Sequence, residues 1–473
     1  MANTHIVDLT REEMLAAMMA SDSTFNGRFI TGVLSTGIYC LPSCRARKPK
    51  PENVRFFASG AEAAAFGLRP CKKCRPEEFE RGENLEQAML AALIQSMRRD
   101  PSTFGSVSDL ANRLGVGSTK LFEMCRTYYH SSPGELLMSA RVEGAKRKLL
   151  EETAGVAEIA YDVGFESLSV FNENFKRRTG LTPRAYRRLP QERSFEIEFP
   201  VGFHVGSLQA TLGRDAGSVT ERVSGGRVQM VAGAALLDVE IEGQAARVSV
   251  LKGDTTSTAE TFGRVVGISQ APEDFEDQAV KGGFERLVRG RRGARILQTI
   301  DFWDALMWVV IGQQINLPFA FKLRRRLFEN YGEPMGDGLF SAPRPERVAE
   351  LSPEDLLPLQ FSRRKAEYLI GLAQKGQSWM DSFAGRSVVE SAGELREVKG
   401  LGPWSINYLM MRAMGFMDCV PYGDTGLQSG LRQLYDLEGK IDKDETDRLL
   451  EPFAPYRSLA TFHLWQSLKG QPL

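Results

Sequence analysis

Apolar positions recur at helical spacing through the middle of this chain. Val107, Leu110, Ala111 and Leu114 share one face of a helix, and Gly115 and Val116 mark a turn. Ser118 reads as the cap of a second helix running to about Tyr128. The pattern returns 49 residues later as Val156, Ile159, Ala160, Val163, Gly164 and Phe165, followed by a helix over 167–178. Two copies in register predict a pair of helix-turn-helix units in an all-helical segment, 82–190.

The patterning differs on either side. Residues 1–80 hold short β-type runs at 29–33 and 54–57 and a small helix at 60–66. After a linker at 190–193, apolar and polar residues alternate at 195–199 and 246–250, which predicts an antiparallel sheet with one or two helices. From 286 onward the chain returns to helix, with a Trp-bearing segment at 302–311 and another helix at 363–374. A glycine hairpin between two helices lies within 395–415. The expected fold class is multidomain, mainly α with α+β parts. Four domains are expected: 1–80, 82–190, 194–285 and 286–473.

Length supports that division, because 473 residues exceed what one core holds. No apolar run of 18 residues and no signal-peptide pattern occur, so a cytoplasmic protein without membrane contact is expected. Net charge is zero, but residues 1–190 hold 27 Lys/Arg against 22 Asp/Glu, and the remainder 33 against 38. The front of the chain is therefore the more basic part. Six cysteines in a reducing compartment suit metal or thiol chemistry better than disulfides. Cys125 and Cys419 stand alone and read as small buried hydrophobes.

The other four cysteines form a set. Cys40 and Cys44 are separated by three residues, Cys71 and Cys74 by two, with a gap of 26 between the pairs. Four thiolates at these spacings can close one tetrahedral zinc site. Arg45, Arg47, Lys48, Lys50, Lys72, Lys73 and Arg75 crowd it, and a metal clip in a cationic patch points to nucleic acid. The site is either a structural clip or one whose thiolate also reacts. The stretches Asn26 to Phe29, Thr36 to Cys44, Asn53 to Phe57 and Arg69 to Pro76 resemble the N-terminal domain of the Ada adaptive-response family. The resemblance implies that Cys40 accepts a methyl group from a DNA methylphosphotriester, and that Cys44, Cys71 and Cys74 remain as fixed ligands of one zinc ion. Among the cations that crowd the site, Arg45 is the candidate DNA contact. An uncharged triester can approach an anionic thiolate cluster that repels ordinary phosphate. Methylation removes one negative charge, so affinity for the DNA backbone should rise.

The segment Gly164, Phe165, Ser167, Phe171, Phe175, Lys176, then Thr179 to Pro183, Tyr186 and Arg187 resembles the AraC/XylS DNA-binding domain. That resemblance implies two helices in successive major grooves. The candidate readers are Ser118, Thr119, Lys120, Glu123 and Arg126 in the first unit. In the second they are Glu166, Ser167, Ser169, Asn172 and Lys176. Leu121, Phe122, Phe171 and Phe175 are expected in the core.

Farther on, Val398, Lys399, Gly400, Leu401, Gly402, Pro403 and Trp404 form a hairpin between helices whose backbone N–H groups can grip a phosphate. With Val420 to Thr425 and the tail Tyr456, Arg457, Ser458, Ala460, Leu464 and Trp465, the segment resembles the AlkA-type 3-methyladenine glycosylases of the helix-hairpin-helix (HhH-GPD) superfamily. Residues 194–285 fit that family's N-terminal α+β domain. Asp424 matches the catalytic carboxylate, which opposes positive charge on the deoxyribose as the glycosidic bond breaks. Read alone, it could equally cap a helix. Lys399, Gly400 and Gly402 match the phosphate grip, and Trp404, Tyr408 and Trp465 the base pocket. Electron-rich rings there would favour cationic alkylated purines. Gln314 or Ile315 would fill the gap left by a flipped base. Thr425 stands where those enzymes carry an aromatic, which implies a wider pocket. Relatives that also cut the backbone carry a Schiff-base lysine where this chain has Trp404, so a monofunctional glycosylase is expected. No iron–sulfur motif follows the hairpin, and no Pro-Cys-His-Arg motif for O6-methylguanine repair occurs.

The partners implied are double-stranded DNA, both damaged and promoter, and RNA polymerase through activation. Two other readings stay open at this point: a regulator with an inactive glycosylase unit, and a glycosylase whose N-terminal half only anchors it to DNA.

Overall fold

A computed structural model describes residues 9–22, 25–44, 46–80 and 85–468. The chain divides into two compact units, Met1–Leu90 and Ala91–Leu473.

The first unit is built on a four-stranded sheet. Val54–Phe57 and Ile38–Cys40 flank Ile30–Val33 in antiparallel register, and Arg69–Pro70 adds to Ile38–Cys40 in parallel. A helix at Gly60–Ala65 covers one face, with Ile30, Tyr39, Leu41, Phe57, Ala63 and Leu68 beneath it. Gly32 is needed at the centre, because a Cβ there would lie 2.4 Å from the Phe57 ring and 2.5 Å from Leu68. So small a core leaves the four-cysteine cluster to hold the sheet's open end.

The second unit begins with the two helix-turn-helix pairs. Val107–Leu114 and Ser118–Tyr129 form the first, and Val156–Asp162 and Leu168–Thr179 the second, joined by Pro133–Glu151. The repeat is as expected, with two local corrections. Gly117, not Ser118, is the N-cap of the second helix; Ser118 already has helical geometry. Phe122 is not core: it is 46% exposed, because it lies one position beyond the stripe formed by Leu121, Met124 and Cys125. Cys125 and Cys419 are both buried, as expected.

Next comes a five-stranded antiparallel sheet in the order Ser194–Glu198, Ala245–Lys252, Ala235–Glu242, Arg227–Ala232, Glu221–Ser224. It carries three helices where one or two were expected, at Val205–Leu212, Thr255–Val265 and Glu273–Lys281. The rest is helical apart from a two-stranded ribbon, Pro334–Gly336 with Leu339–Phe340. Phe302–Gly312, Arg363–Ala373, Val388–Arg396, Pro403–Arg412, Thr425–Tyr435 and Arg457–Ser467 frame the part that matters for function. One buried apolar core runs without a break from Val142 in the connecting helix to Leu464. The second helix-turn-helix unit is thereby welded to the sheet, with Phe171, Phe175, Phe195 and Ile197 in one cluster. Among the described residues, no helix is long and apolar enough to cross a membrane.

Candidate metal centre, catalytic carboxylate and DNA interfaces

The four cysteines converge as the spacing predicts. Cys40 ends a strand, Cys44 follows the next turn, Cys71 follows the parallel strand, and Cys74 precedes Pro76–Glu80. Their sulfur atoms all lie within 4.8 Å of one another. Zinc–sulfur bonds of about 2.3 Å in a tetrahedron place sulfurs about 3.8 Å apart, so the set fits one zinc ion. Backbone bonds fix the frame: Cys71 N donates to Tyr39 O at 2.9 Å, and Leu41 N donates to Cys74 Sγ at 3.4 Å. Arg47, Lys50, Lys72 and Lys73 are exposed around it. Lys48 is not part of that surface: its ammonium turns inward to Met18 O, Ser21 Oγ and Cys44 O, bracing the turn that carries Cys44. Arg45 lies outside the described residues.

In the helix-turn-helix pairs, Lys120 and Asn172 are exposed on their helices. Lys176 is ion-paired with Glu198 of the sheet at 2.5 Å, and Arg126 stacks on Phe122 and Tyr456. Both of these side chains are thus engaged within the protein.

The C-terminal site is built on the hairpin. Gly400 has φ +96, and a Cβ there would sit 2.6 Å from the Tyr368 ring, so only glycine lets the hairpin close. Gly402 caps Pro403–Arg412, and Lys399 is exposed at the tip. Gln313 ties the hairpin to the preceding loop by donating to Gly400 O at 2.8 Å and Ser405 Oγ at 3.3 Å. Beside it, Gln314 is exposed in the left-handed region (φ 56), and Ile315 packs against the core.

Asp424 is both cap and convergence point. Its Oδ1 accepts from Leu427 N at 2.7 Å and from the Trp465 indole at 2.8 Å, and its Oδ2 accepts from the Trp404 indole at 3.0 Å. Three donors fix the carboxylate's position and orientation. Gly426 makes room for this: a Cβ would lie 3.0 Å from the Trp465 ring. Tyr408 lies between the indoles, 5.4 Å from Trp404 and 6.1 Å from Trp465, and Arg412 donates to its hydroxyl at 3.3 Å. It is buried, so it backs the two half-buried indoles. Tyr408 also lines a cavity of about 170 Å³ with Trp308, Phe321, Arg214 and Arg412.

The indole bonds to Asp424, the Gln313 tie and Arg214 were not anticipated from sequence. Arg214 comes from the loop after Val205–Leu212, and nothing in Leu212-Gly213-Arg214-Asp215 marks it. Gln313 adjoins the wedge candidates, which was the available signal.

Three families match in order along the chain: the metal binding domain of Ada over 13–77, a helix-turn-helix domain over 110–189, and the HhH-GPD superfamily base excision DNA repair protein over 307–455. A probable bifunctional transcriptional activator/DNA repair enzyme AlkA of Mycobacterium tuberculosis H37Rv is 27% identical over 97% of this chain and 96% of its own. The bifunctional transcriptional activator/DNA repair enzyme AdaA of Bacillus subtilis 168 is 30% identical over 38% of this chain and 85% of its own. A solved 3-methyladenine DNA-glycosylase from Archaeoglobus fulgidus shares the fold of the second half, with TM-score 0.51 and 18% identity over 59% of this chain and all of that one. The chain belongs to the family of Ada-type bifunctional transcriptional activators and DNA repair enzymes, and it carries an HhH-GPD base excision unit in its second half.

Proposed function

We propose that this chain accepts methyl groups from DNA methylphosphotriesters, regulates transcription and excises alkylated bases of the 3-methyladenine class. The observation that carries the excision is Asp424, held by two indoles and a backbone amide just beyond a phosphate-gripping hairpin. The division of labour is 1–80 for methyl acceptance, 82–190 for DNA reading, 194–285 as the glycosylase's sheet domain and 286–473 for excision.

The damaged nucleotide leaves the duplex, and Gln314 at the exposed loop tip fills its place. Ile315 supports that loop from the core side. The phosphate backbone rests on the N–H groups around Gly400 and Gly402, with Lys399 beside them. The base enters against Trp404 and Trp465, whose π faces attract an alkylated, cationic purine. The C1′–N bond then breaks and the base leaves with the electron pair. Asp424 faces the positive charge left on the sugar, and water supplies the oxygen that bonds C1′ while its proton passes to the Asp424 carboxylate and on to solvent. A cationic base needs little acid catalysis to leave. Trp404 offers no amine for an imine, so the backbone is not cut.

At the other end, Cys40, Cys44, Cys71 and Cys74 would hold one zinc ion, which keeps bound thiols ionised at neutral pH. The Cys40 sulfur attacks the methyl carbon of the triester. A C–S bond forms, the C–O bond breaks, and an ordinary phosphodiester carries away the negative charge. Exposed Arg47, Lys50, Lys72 and Lys73 meet the DNA backbone. Lys120 and Asn172 serve the reading helices, and RNA polymerase is the partner through which activation would act.

Base-release profiling on alkylated duplex DNA tests this reading. Release of 3-methyladenine-type bases without strand cleavage is expected. No release from any alkylated duplex would reduce the second half to a DNA-binding scaffold.

A further inference from the structure

The first reading helix, Ser118–Tyr129, is not free along its length. Its N-terminal turn is exposed at Ser118, Thr119 and Lys120. Its C-terminal half lies against the glycosylase part of the same compact unit. The Arg126 guanidinium sits 5.7 Å from the Tyr456 ring centre, and Tyr129 is buried. Val388–Arg396, the helix that leads into the phosphate-gripping hairpin, packs on this helix directly. His130, the left-handed cap at φ 51, accepts from Asp418 N at 3.1 Å through Nδ1. The His130 ring also meets Phe416 edge-on at 5.5 Å. Farther back, Arg98 donates to Gly385 O at 2.8 Å.

These contacts occupy a flank that DNA would need. A major groove is about 12 Å wide, and a helix with its side chains is about 10–12 Å across. A helix lying along the groove therefore fills it, with a sugar–phosphate wall on either side. A flank where a second helix and Tyr456 already pack is one that such a wall would compete for. Arg126 shows the conflict in one residue, since it projects from the same face as the reader position Glu123 yet stacks on the glycosylase. The contact is also built to open. It mixes polar and aromatic groups, and it borders a cleft of about 720 Å³ lined by Arg126, His130, Asp274, Phe383, Phe416 and Tyr456. Incompletely filled contacts between domains permit relative motion.

We infer that the glycosylase part holds the first reading helix in a docked state, and that full engagement of promoter DNA by this helix releases Arg126 from Tyr456 and His130 from Asp418. This rests on the regulator reading above. Docked, the helix presents Ser118, Thr119, Lys120 and Glu123 but holds Arg126 against Tyr456; undocked, Arg126 joins the reading surface. The contact also ends close to the glycosylase centre. Asp418 pairs with Arg457 at 2.7 Å, and Arg457 opens the helix that carries Trp465 to Asp424.

The test uses the full zinc-loaded chain and a duplex enriched from a random-sequence pool by the wild-type protein. Hydrogen exchange at the Asp418 amide is expected to accelerate when this duplex is added, while amides of Ser118–Tyr129 become protected. His130→Gly removes the acceptor and the ring yet suits a φ of 51, and Tyr456→Leu removes the stacking partner from the other side. Each should bind the duplex about three- to tenfold more tightly, the worth of one hydrogen bond or one ring contact. Unchanged Asp418 exchange at saturating duplex, or unchanged affinity in both variants, overturns the inference while leaving the regulator reading intact. A wild-type chain that enriches no sequence overturns the regulator reading, and this inference with it.

Discussion

Replacing Asp424 with asparagine separates the two roles of that residue. Asparagine caps helices as well as aspartate does, so Leu427 N keeps an acceptor and Thr425–Tyr435 should start where it does now. What disappears is the charge. A unit charge about 4 Å from a developing sugar cation, at an effective dielectric near 20, is worth about 4 kcal/mol. At about 1.4 kcal/mol per tenfold, base release should slow about a thousandfold. The asparagine NH2 would also face the Trp404 indole, donor against donor, which costs one hydrogen bond and about 1–2 kcal/mol of stability. Single-turnover base release from a methylated duplex measures the first effect, and thermal unfolding measures the second. A folded variant within tenfold of wild type would remove the carboxylate from the chemistry. A loss matched by unfolding would leave Asp424 as a cap only.

Three other outcomes can be checked separately. Gly400→Ala forces a Cβ toward Tyr368 at a φ of +96 and should cost at least about 1–3 kcal/mol, with weaker binding to undamaged duplex in a salt titration; a normal melting curve and normal binding would deny the hairpin its phosphate grip. Zinc chelation should expose the first unit to protease, because its own apolar core is small, yet leave base release intact, because the second unit carries its own continuous core; lost excision on chelation would contradict this. Burial pushes His130 down to about 4; Asp418 opposes this, and Arg457 and Arg126 reinforce it. A free histidine titrates near 6.5, so the stability from neutral His130 is complete above about 6.5 and is lost as pH falls toward 4. Denaturant unfolding should therefore show weakening across that window, with a shallower slope in His130→Asn. His463, pushed down to about 3 by burial, accounts for part of what remains. Equal slopes in the two proteins would exclude His130 as a contributor.

Features that depend on neighbours in sequence were legible. The cysteine spacing anticipated the sulfur cluster, the repeated apolar pattern anticipated both helix-turn-helix units, and Gly400 and Gly402 anticipated the turn between Val388–Arg396 and Pro403–Arg412. Gly117 shows how fine the limit is: serine is the stronger cap by type, but the backbone turns helical one residue earlier than composition suggests. Phe122 was misplaced for a related reason, since hydrophobicity says that a ring prefers cover without saying that Arg126 supplies part of it. Features made by distant residues were not legible. The two indoles reach Asp424 from 20 positions before it and 41 after it. Lys176 reads as a DNA-facing cation, and its ion pair with Glu198 of the sheet joins residues that no local pattern links. His130 meets Asp418 across 288 residues, a pairing that no local periodicity encodes.

The most direct test of the account is peptide mass spectrometry of Cys40 after the zinc-loaded chain has met duplex DNA carrying methylphosphotriesters, with unmethylated duplex as control. One methyl group on Cys40, absent from Cys44, Cys71 and Cys74 and absent in the control, is the predicted result. An unmodified Cys40 in a chain that retains its zinc would leave the cluster as a structural clip and contradict the sensing function.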